Sequence, residues 1–307
     1  MVPPNGENAL NKDVEPCFIC GGTVFENRTA DYRSCLNCGH EVLVSTKEQG
    51  FIINDDLSEK EVRRMTGLDR FKARTLSCFD SNLERQQLLD IGSASGKFLL
   101  HNASRYKRAT GIEITPESLT FSRQVLGLDI VEDIQNVTDK ISAATAWHSL
   151  EHIPEHHLLT LLENLSNKMS SGGRLLVSVP NGSSWQYRWF GKSYAYYDVP
   201  NHLHQFTPES LGQLMRRFGF QHVATVNSWP YNTFGYTQSL LNILTNTHNY
   251  LYYRLKRRSR KPSIALDIVN GLLLVICGPA GWLMGLADAL NLKHQGVITA
   301  CFEKKIC

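Results

Sequence analysis

Residues 88 to 100 constrain this chain more than any other stretch. They read Leu-Leu-Asp-Ile-Gly-Ser-Ala-Ser-Gly-Lys-Phe-Leu-Leu. An apolar run ending near Asp90, a set of small residues (Gly92, Ser93, Ala94, Ser95, Gly96) and a helical apolar pattern read as strand, tight turn and helix. That is the first half of a nucleotide-binding βαβ unit. The small residues let the backbone approach a ligand closely, and the helix start near Gly96 offers unpaired N–H groups to a negative ligand group. Asp90 anchors the turn.

A second apolar segment, Arg108 to Ile114, ends with the acid Glu113. An acid about 20 positions beyond the glycine turn is placed to accept hydrogen bonds from ribose hydroxyls. The dinucleotide pattern G-x-G-x-x-G is absent, and the spacing here is Asp-x-Gly-x-Ala-x-Gly. This stretch resembles the S-adenosylmethionine loop of the class I methyltransferases. The resemblance implies that the loop wraps the amino-acid end of that cofactor while Glu113 holds the ribose. It places Asp90, Gly92, Ser93, Ala94, Gly96, Glu113 and Ile114 at the cofactor. Ala94 stands where the family usually has a glycine and is expected to narrow the turn.

The chain has 307 residues, enough for one large domain and a small module, and a net charge of +3. That charge is too small to imply a nucleic-acid partner. Residues 1–14 are polar and expected to be disordered, and the first sixteen lack the apolar core of a secretory signal. A reducing, cytoplasmic setting follows, in which eight cysteines argue for metal or free thiols before disulfides.

Four of those cysteines are spaced as Cys17-x-x-Cys20 and Cys35-x-x-Cys38, with Gly21 and Gly39 directly after each pair. Two such knuckles supply four thiolates in tetrahedral array, so residues 15–45 read as a zinc ribbon. A closed set of four ligands makes this zinc structural, and a module this small needs the metal to fold. His40 reads as a surface residue. Acids at 15, 26, 31 and 41 against Arg28 and Arg33 do not make a phosphate-binding face. Residues 46–83 are predicted as a linker region, with one helix from Asp55 to Leu83 that covers the cofactor side or simply packs on the core.

The core is predicted over residues 84–230. A third strand at 128–131 delivers Asp133 and Ile134, which the resemblance puts at the adenine edge. A fourth strand, Ile141 to Trp147, runs into His148-Ser149-Leu150-Glu151-His152-Ile153-Pro154, at the carboxyl edge where open α/β sheets bind ligands. The Leu-Glu-His-Ile-Pro segment is similar to that of the methyltransferases grouped with the ubiquinone-biosynthesis O-methyltransferases. His148 or His152 could take a proton from an acceptor hydroxyl. Alternatively, His148, Glu151 and His152 could share a divalent cation, or Glu151 and His152 could only brace the loop. After a fifth strand at 175–179 comes an aromatic connection with Trp185, Tyr187, Trp189, Tyr194, Tyr196 and Tyr197, suited to walling a substrate or to packing. The following Asp-Val-Pro-Asn-His-Leu-His segment places His202 and His204 just before a capped helix, and at least one is expected to face the acceptor. A sixth strand at 220–226 and a seventh from Gly296 complete the sheet.

Residues 231–292 exceed what such a sheet needs. They hold an amphipathic stretch (240–255), a basic run (Arg254, Lys256, Arg257, Arg258, Arg260, Lys261) and an apolar stretch (268–287). The apolar stretch approaches bilayer length, but residues 293–307 must return to the sheet on the side the chain left. A shallow helical hairpin bent at Gly278 to Gly281, with the basic run on an anionic membrane surface, satisfies both demands; a helix buried in a homodimer interface is the alternative. The expected architecture is thus α/β: a seven-stranded Rossmann-like methyltransferase sheet, an N-terminal zinc ribbon and a hydrophobic insertion before the last strand. The expected activity is S-adenosylmethionine-dependent methylation of a small-molecule, lipid-like or lipid-linked acceptor, such as a polyprenyl phenol or a lipid-carried glycan, by an enzyme peripheral on the cytoplasmic face of a membrane. The alternatives are a sugar C-methyltransferase of a deoxysugar pathway, whose ribbon arrangement is similar, and a non-catalytic scaffold of the same fold.

Overall fold

The computed structural model describes residues 15–44, 57–79, 86–256 and 263–305. Three short strands come first, β1 (Phe25–Asn27), β2 (Tyr32–Cys35) and β3 (Glu41–Leu43), followed by helices α1 (Glu59–Arg63) and α2 (Gly67–Phe79). The alternating core is β4 (Gln87–Ile91), α3 (Lys97–Asn102), β5 (Arg108–Ile112), α4 (Pro116–Gln124), β6 (Asp129–Val131), β7 (Ile141–Trp147), α5 (Glu155–Lys168) and β8 (Met169–Pro180). Then come α6 (Trp185–Phe190), β9 (His204–Gln205), α7 (Pro208–Arg217) and β10 (Phe220–Val226). The insertion supplies α8 (Trp229–Thr245), α9 (Tyr250–Leu255) and α10 (Ile264–Asp288), and β11 (Val297–Lys304) ends the sheet.

The large sheet has the order β10-β11-β8-β7-β4-β5-β6. Its five strands from β8 to β6 are parallel, and β11 lies antiparallel between β8 and β10. The chain leaves β4 toward β5 and β6 and later returns on the other side with β7. Strand direction of travel therefore reverses at the β4–β7 junction, and a crevice opens there at the carboxyl ends. β4 and β7 are buried along their whole length, as central parallel strands covered on both faces must be.

Several elements differ from the sequence reading. The expected helix over 55–83 is two helices, because Thr66 donates to Asp69 through both its N–H (2.7 Å) and its hydroxyl (2.6 Å) and starts a fresh turn. Residues 45–56 and 80–85 lie outside the described residues, as do residues 1–14 and the basic positions 257, 258, 260 and 261. β8 starts at Met169, earlier than expected, since the Ser-Gly-Gly segment continues the strand through Gly172 at φ +75°.

The four-cysteine segment is not a separate module. Its sheet takes β9 as a fourth strand, with Glu41 opposite Gln205 and Val42 opposite His204. Cys17, Cys35 and Cys38 share one apolar core with Val179, Phe206 and Leu211. His40, expected at the surface, is fully buried between Phe18, His204 and Phe206. Its neighbour Glu41 is also fully buried, answered by Arg28 at 2.8 Å and the Tyr187 hydroxyl at 2.9 Å.

α10 corrects the expected hairpin. It runs unbroken for 25 residues with Pro279 inside it, so the Gly-Pro-Ala-Gly run does not turn the chain. That run instead thins one face of the helix. Cβ atoms at Gly281 and Gly285 would collide with Thr237 and Thr233 of α8, so the two helices lie antiparallel at the close approach small residues allow. Gly281→Val should overpack this contact, where an added Cβ would sit 2.7 Å from the Thr237 nitrogen, and lower stability by about 1–3 kcal/mol. Gly271→Ala, which meets open space, should not lower it; thermal melts of both variants test the assignment.

Candidate functional site

The turn after β4 shows why its residues are small. Gly92, Ala94 and Gly96 all have positive φ (70°, 48° and 74°), conformations that favour glycine and cost an alanine some strain. A Cβ on Gly92 would lie 2.5 Å from Ser149 Cβ, and one on Gly96 would lie 2.5 Å from Leu128. Ala94 keeps the left-handed conformation of the glycine it replaces, and its N–H donates to Glu113 Oε2 at 2.8 Å. That bond ties the loop directly to the acid and uses only the backbone of residue 94. Glu113 Oε1 accepts from the N–H groups of Ile114 (2.9 Å) and Thr115 (2.7 Å), which leaves Oε2 one acceptor position for a hydroxyl. Ile114 is exposed beside it, an apolar surface for a flat ring.

Asp90 is buried beneath the turn, and the Thr145 hydroxyl of β7 donates to it at 2.6 Å. Burial raises its pKa to about 6 against the pull of Thr145 and Lys72, with Glu113 adding to the rise. Asp133 caps a short 3-10 turn by accepting from Gln135 N–H at 2.8 Å. The Ile134 side chain is buried in the main core, so it does not form the adenine edge expected of it.

Four buried polar atoms at the ends of β4 and β7 find no partner within the protein: Ser93 Oγ, Trp147 Nε1, His148 Nε2 and Ser149 Oγ. Buried polar groups are normally satisfied, and their gathering at one edge fits a polar ligand between them. S-adenosylmethionine, with a zwitterionic amino acid, ribose hydroxyls and a sulfonium, matches the donors and the acid present.

Beyond β7 lies a group of histidines. His148 has φ +54°, and its ring packs on Tyr196 (5.6 Å) and Tyr231 (4.7 Å). Its Nδ1 is 3.3 Å from Oε1 of the fully buried Glu151. Burial opposes ionisation of Glu151, but His148, His152 and His202 together bring its pKa down to about 2. The His152 and His202 rings meet edge to face at 4.6 Å, and burial with His202 beside it lowers the pKa of His152. His148, Glu151 and His152, which the sequence grouped, are thus brought together with His202, which lies fifty residues beyond His152.

His204 is not part of this group. It stacks on His40 at 5.3 Å, its Nε2 donates to the Ile153 carbonyl at 3.0 Å, and burial lowers its pKa to about 4. It belongs to the contact with the cysteine segment because it stands in β9 opposite Val42 of β3, whereas His202 precedes that strand and its Nδ1 is 2.8 Å from the Tyr196 carbonyl. Tyr231 was missed. It sits in the first turn of α8, and nothing in its local sequence marks it as reaching the sheet edge.

This fold and edge define a class I S-adenosylmethionine-dependent methyltransferase. Residues 62–225, more than half of the 307, match the methyltransferase domain family, and the chain belongs to it. Solved structures share the fold. A Galdieria sulphuraria protein provisionally assigned as a sarcosine dimethylglycine methyltransferase is 11% identical, with a TM-score of 0.50 over 78% of this chain and 85% of that chain. The cyclopropane synthase MmaA2 from Mycobacterium tuberculosis is 12% identical, with a TM-score of 0.50 over 79% and 87%. No curated protein matches the sequence.

Glu113→Ala removes a charged acceptor and strands the three N–H groups it holds, so S-adenosylmethionine affinity should fall about tenfold to hundredfold. Calorimetry would read this, and unchanged affinity would refute the assignment. Asp90 predicts a pH effect on the ligand-free protein. Its folded pKa of about 6 exceeds the unfolded value of about 3.9, so its stabilising contribution is complete below pH ~4 and lost as pH rises through ~6. Asp90→Asn should therefore gain on wild type by about 2–3 kcal/mol between these limits; parallel melting curves across that range would contradict this.

Proposed function

We propose that this methyltransferase works on a membrane surface, on a lipid-like or lipid-linked acceptor of the polyprenyl-phenol or lipid-carried-glycan kind. The observation that carries the reading is the α8–α10 pair. Among the described residues α10 is the one helix long and apolar enough to cross a bilayer. Asn270, Cys277, Gly281, Gly285 and Asp288 are buried, while Leu272, Val275, Ile276 and Leu283 are 60–73% exposed. A helix apolar all round, with one side covered by protein, needs an apolar medium for the other.

Both ends of α10 are tied to the protein. Asp267 pairs with Arg254 at 2.8 Å and accepts from the Tyr250 hydroxyl at 2.8 Å. Asp288 accepts from Tyr236 at 2.9 Å and from the Gly296 N–H at 3.2 Å. A helix held at both ends and along one face lies in the interface rather than across it. The basic run of the sequence, Arg254 to Lys261, precedes it and suits anionic head groups. The first turn of α8 puts Tyr231 on the His148 ring, so the apolar platform starts at the acceptor side of the crevice.

Bound S-adenosylmethionine supplies a methyl group on a positively charged sulfur. The chain's own residues then align the acceptor in line with it. The Glu151 carboxylate beside His148 Nδ1 holds that ring with Nε2 turned to accept an acceptor hydroxyl's hydrogen bond, and Tyr196 and Tyr231 wall it. Cys17, Cys20, Cys35 and Cys38 suit a structural zinc: one ligand atom from each lies within 4.8 Å of the others, and a set of four thiolates leaves no open position. That site holds the neighbouring loop, since Tyr32 donates to the His202 carbonyl at 2.7 Å and Thr207 to that of Cys38 at 3.0 Å. The Leu-Glu-His-Ile-Pro segment favours the group resembling the ubiquinone-biosynthesis enzymes. A deoxysugar acceptor is the second reading, favoured by the contact between the cysteine segment and the acceptor edge.

Flotation with phosphatidylglycerol vesicles tests the docking. Wild type should float, and the triple variant Leu272→Glu, Val275→Glu, Ile276→Glu should remain below while keeping its cofactor affinity. If the variant floats equally the membrane reading fails, and if wild type instead sediments as a dimer that the variant breaks, α10 is a subunit interface.

A further inference from the structure

Glu151 is a buried anion surrounded by histidines. Its side chain is fully buried, and neither carboxylate oxygen receives a well-formed hydrogen bond from the protein. Oε1 has His148 Nδ1 at 3.3 Å. Such a carboxylate is costly unless a cation answers it.

The geometry of the other two members bears on what that cation is. His152 Nδ1 is 2.9 Å from the Asn201 carbonyl, and His202 Nδ1 is 2.8 Å from the Tyr196 carbonyl. A carbonyl only accepts, so both rings carry their proton on Nδ1, and in the neutral ring the lone pair is on Nε2. One ligand atom from each of Glu151, His152 and His202 lies within 4.8 Å of the others. Backbone carbonyls holding the far nitrogen are the arrangement by which metal-binding imidazoles are oriented. The two segments involved are themselves joined, because Leu203 N–H donates to the Glu151 carbonyl at 2.8 Å.

We propose that Glu151, His152 and His202 bind one divalent first-row transition metal ion at the acceptor side of the crevice. Two imidazoles and one carboxylate suit manganese, iron, cobalt or zinc, whereas magnesium and calcium prefer oxygen ligands throughout. Three protein ligands leave positions open, and an ion so placed can take an acceptor oxygen and polarise it. The site deepens the reading above: it selects acceptors with an oxygen able to reach the metal, such as a phenol or a sugar hydroxyl. Its role rests on that reading, but its existence does not.

Manganese distinguishes this site from the four cysteines, whose thiolates suit zinc. Full-length protein carrying zinc at its cysteines would be titrated with manganese chloride, free ion being read by electron paramagnetic resonance. One equivalent should bind, and His202→Ala and Glu151→Gln should each weaken it by at least about tenfold, with S-adenosylmethionine affinity unchanged by calorimetry. His156→Ala, an exposed neighbour, should bind as wild type does. Should Glu151→Gln fail to fold, His202→Ala decides. Absence of saturable manganese binding, or equal binding in wild type and His202→Ala, overturns the proposal and leaves shared protons among the histidines as the answer to the Glu151 charge. Vesicle flotation of the same preparation is independent of either result, so failure of the metal site and failure of the membrane reading remain separate.

Discussion

The closeness of two turns governs this molecule. Where β4 ends, Gly92 has no room for a side chain because Ser149, in the turn after β7, occupies that space. The Thr145 hydroxyl bonds Asp90 just beneath the same junction. The loop after β4 and the turn after β7 are therefore one packed unit. A residue with a Cβ at Gly92 would push the loop after β4 away from the turn after β7. The loop glycines serve this approach as much as they serve the ligand.

A second coupling joins the edge to the cysteine segment. β3 pairs with β9, the Leu43 N–H bonds the Leu203 carbonyl at 3.0 Å, and Tyr32 holds the His202 carbonyl. The loop carrying His202 is thus a continuation of the small sheet. Four cysteines that look like a detached module from their spacing pack beside the loop carrying His202, and Cys17, Cys35 and Cys38 share apolar core with the main sheet. His40 and Glu41 are buried for this reason: they lie at the seam between the two sheets.

The insertion is joined to the same edge from the opposite side. Gly281 and Gly285 let α10 approach α8, and Asp288 ties its end to the strand that closes the sheet. Tyr231 at the head of α8 reaches His148, while α2 reaches Tyr231 through Phe71 at 5.9 Å and places Lys72 over the Trp147 ring at 5.3 Å. The residues around the histidines thus come from segments far apart in the chain, and each is held by contacts of its own.

Local order in the sequence determined much of this. Strand, small-residue turn and helix at 88–100, the acid at Glu113, the histidine-bearing turn after Trp147 and the position of the last strand were all legible, because each is a pattern of neighbours obeying period and turn chemistry. The four cysteines were legible for the same reason. What only the tertiary structure decided are matters of partner. Ile134 faces the core, His204 faces His40 while His202 faces His152, and the Gly-Pro-Ala-Gly run packs against α8 instead of turning. A residue type says what a side chain can do. Which surface it meets depends on strand pairing and helix approach across tens to more than a hundred residues, and no local pattern carries that information.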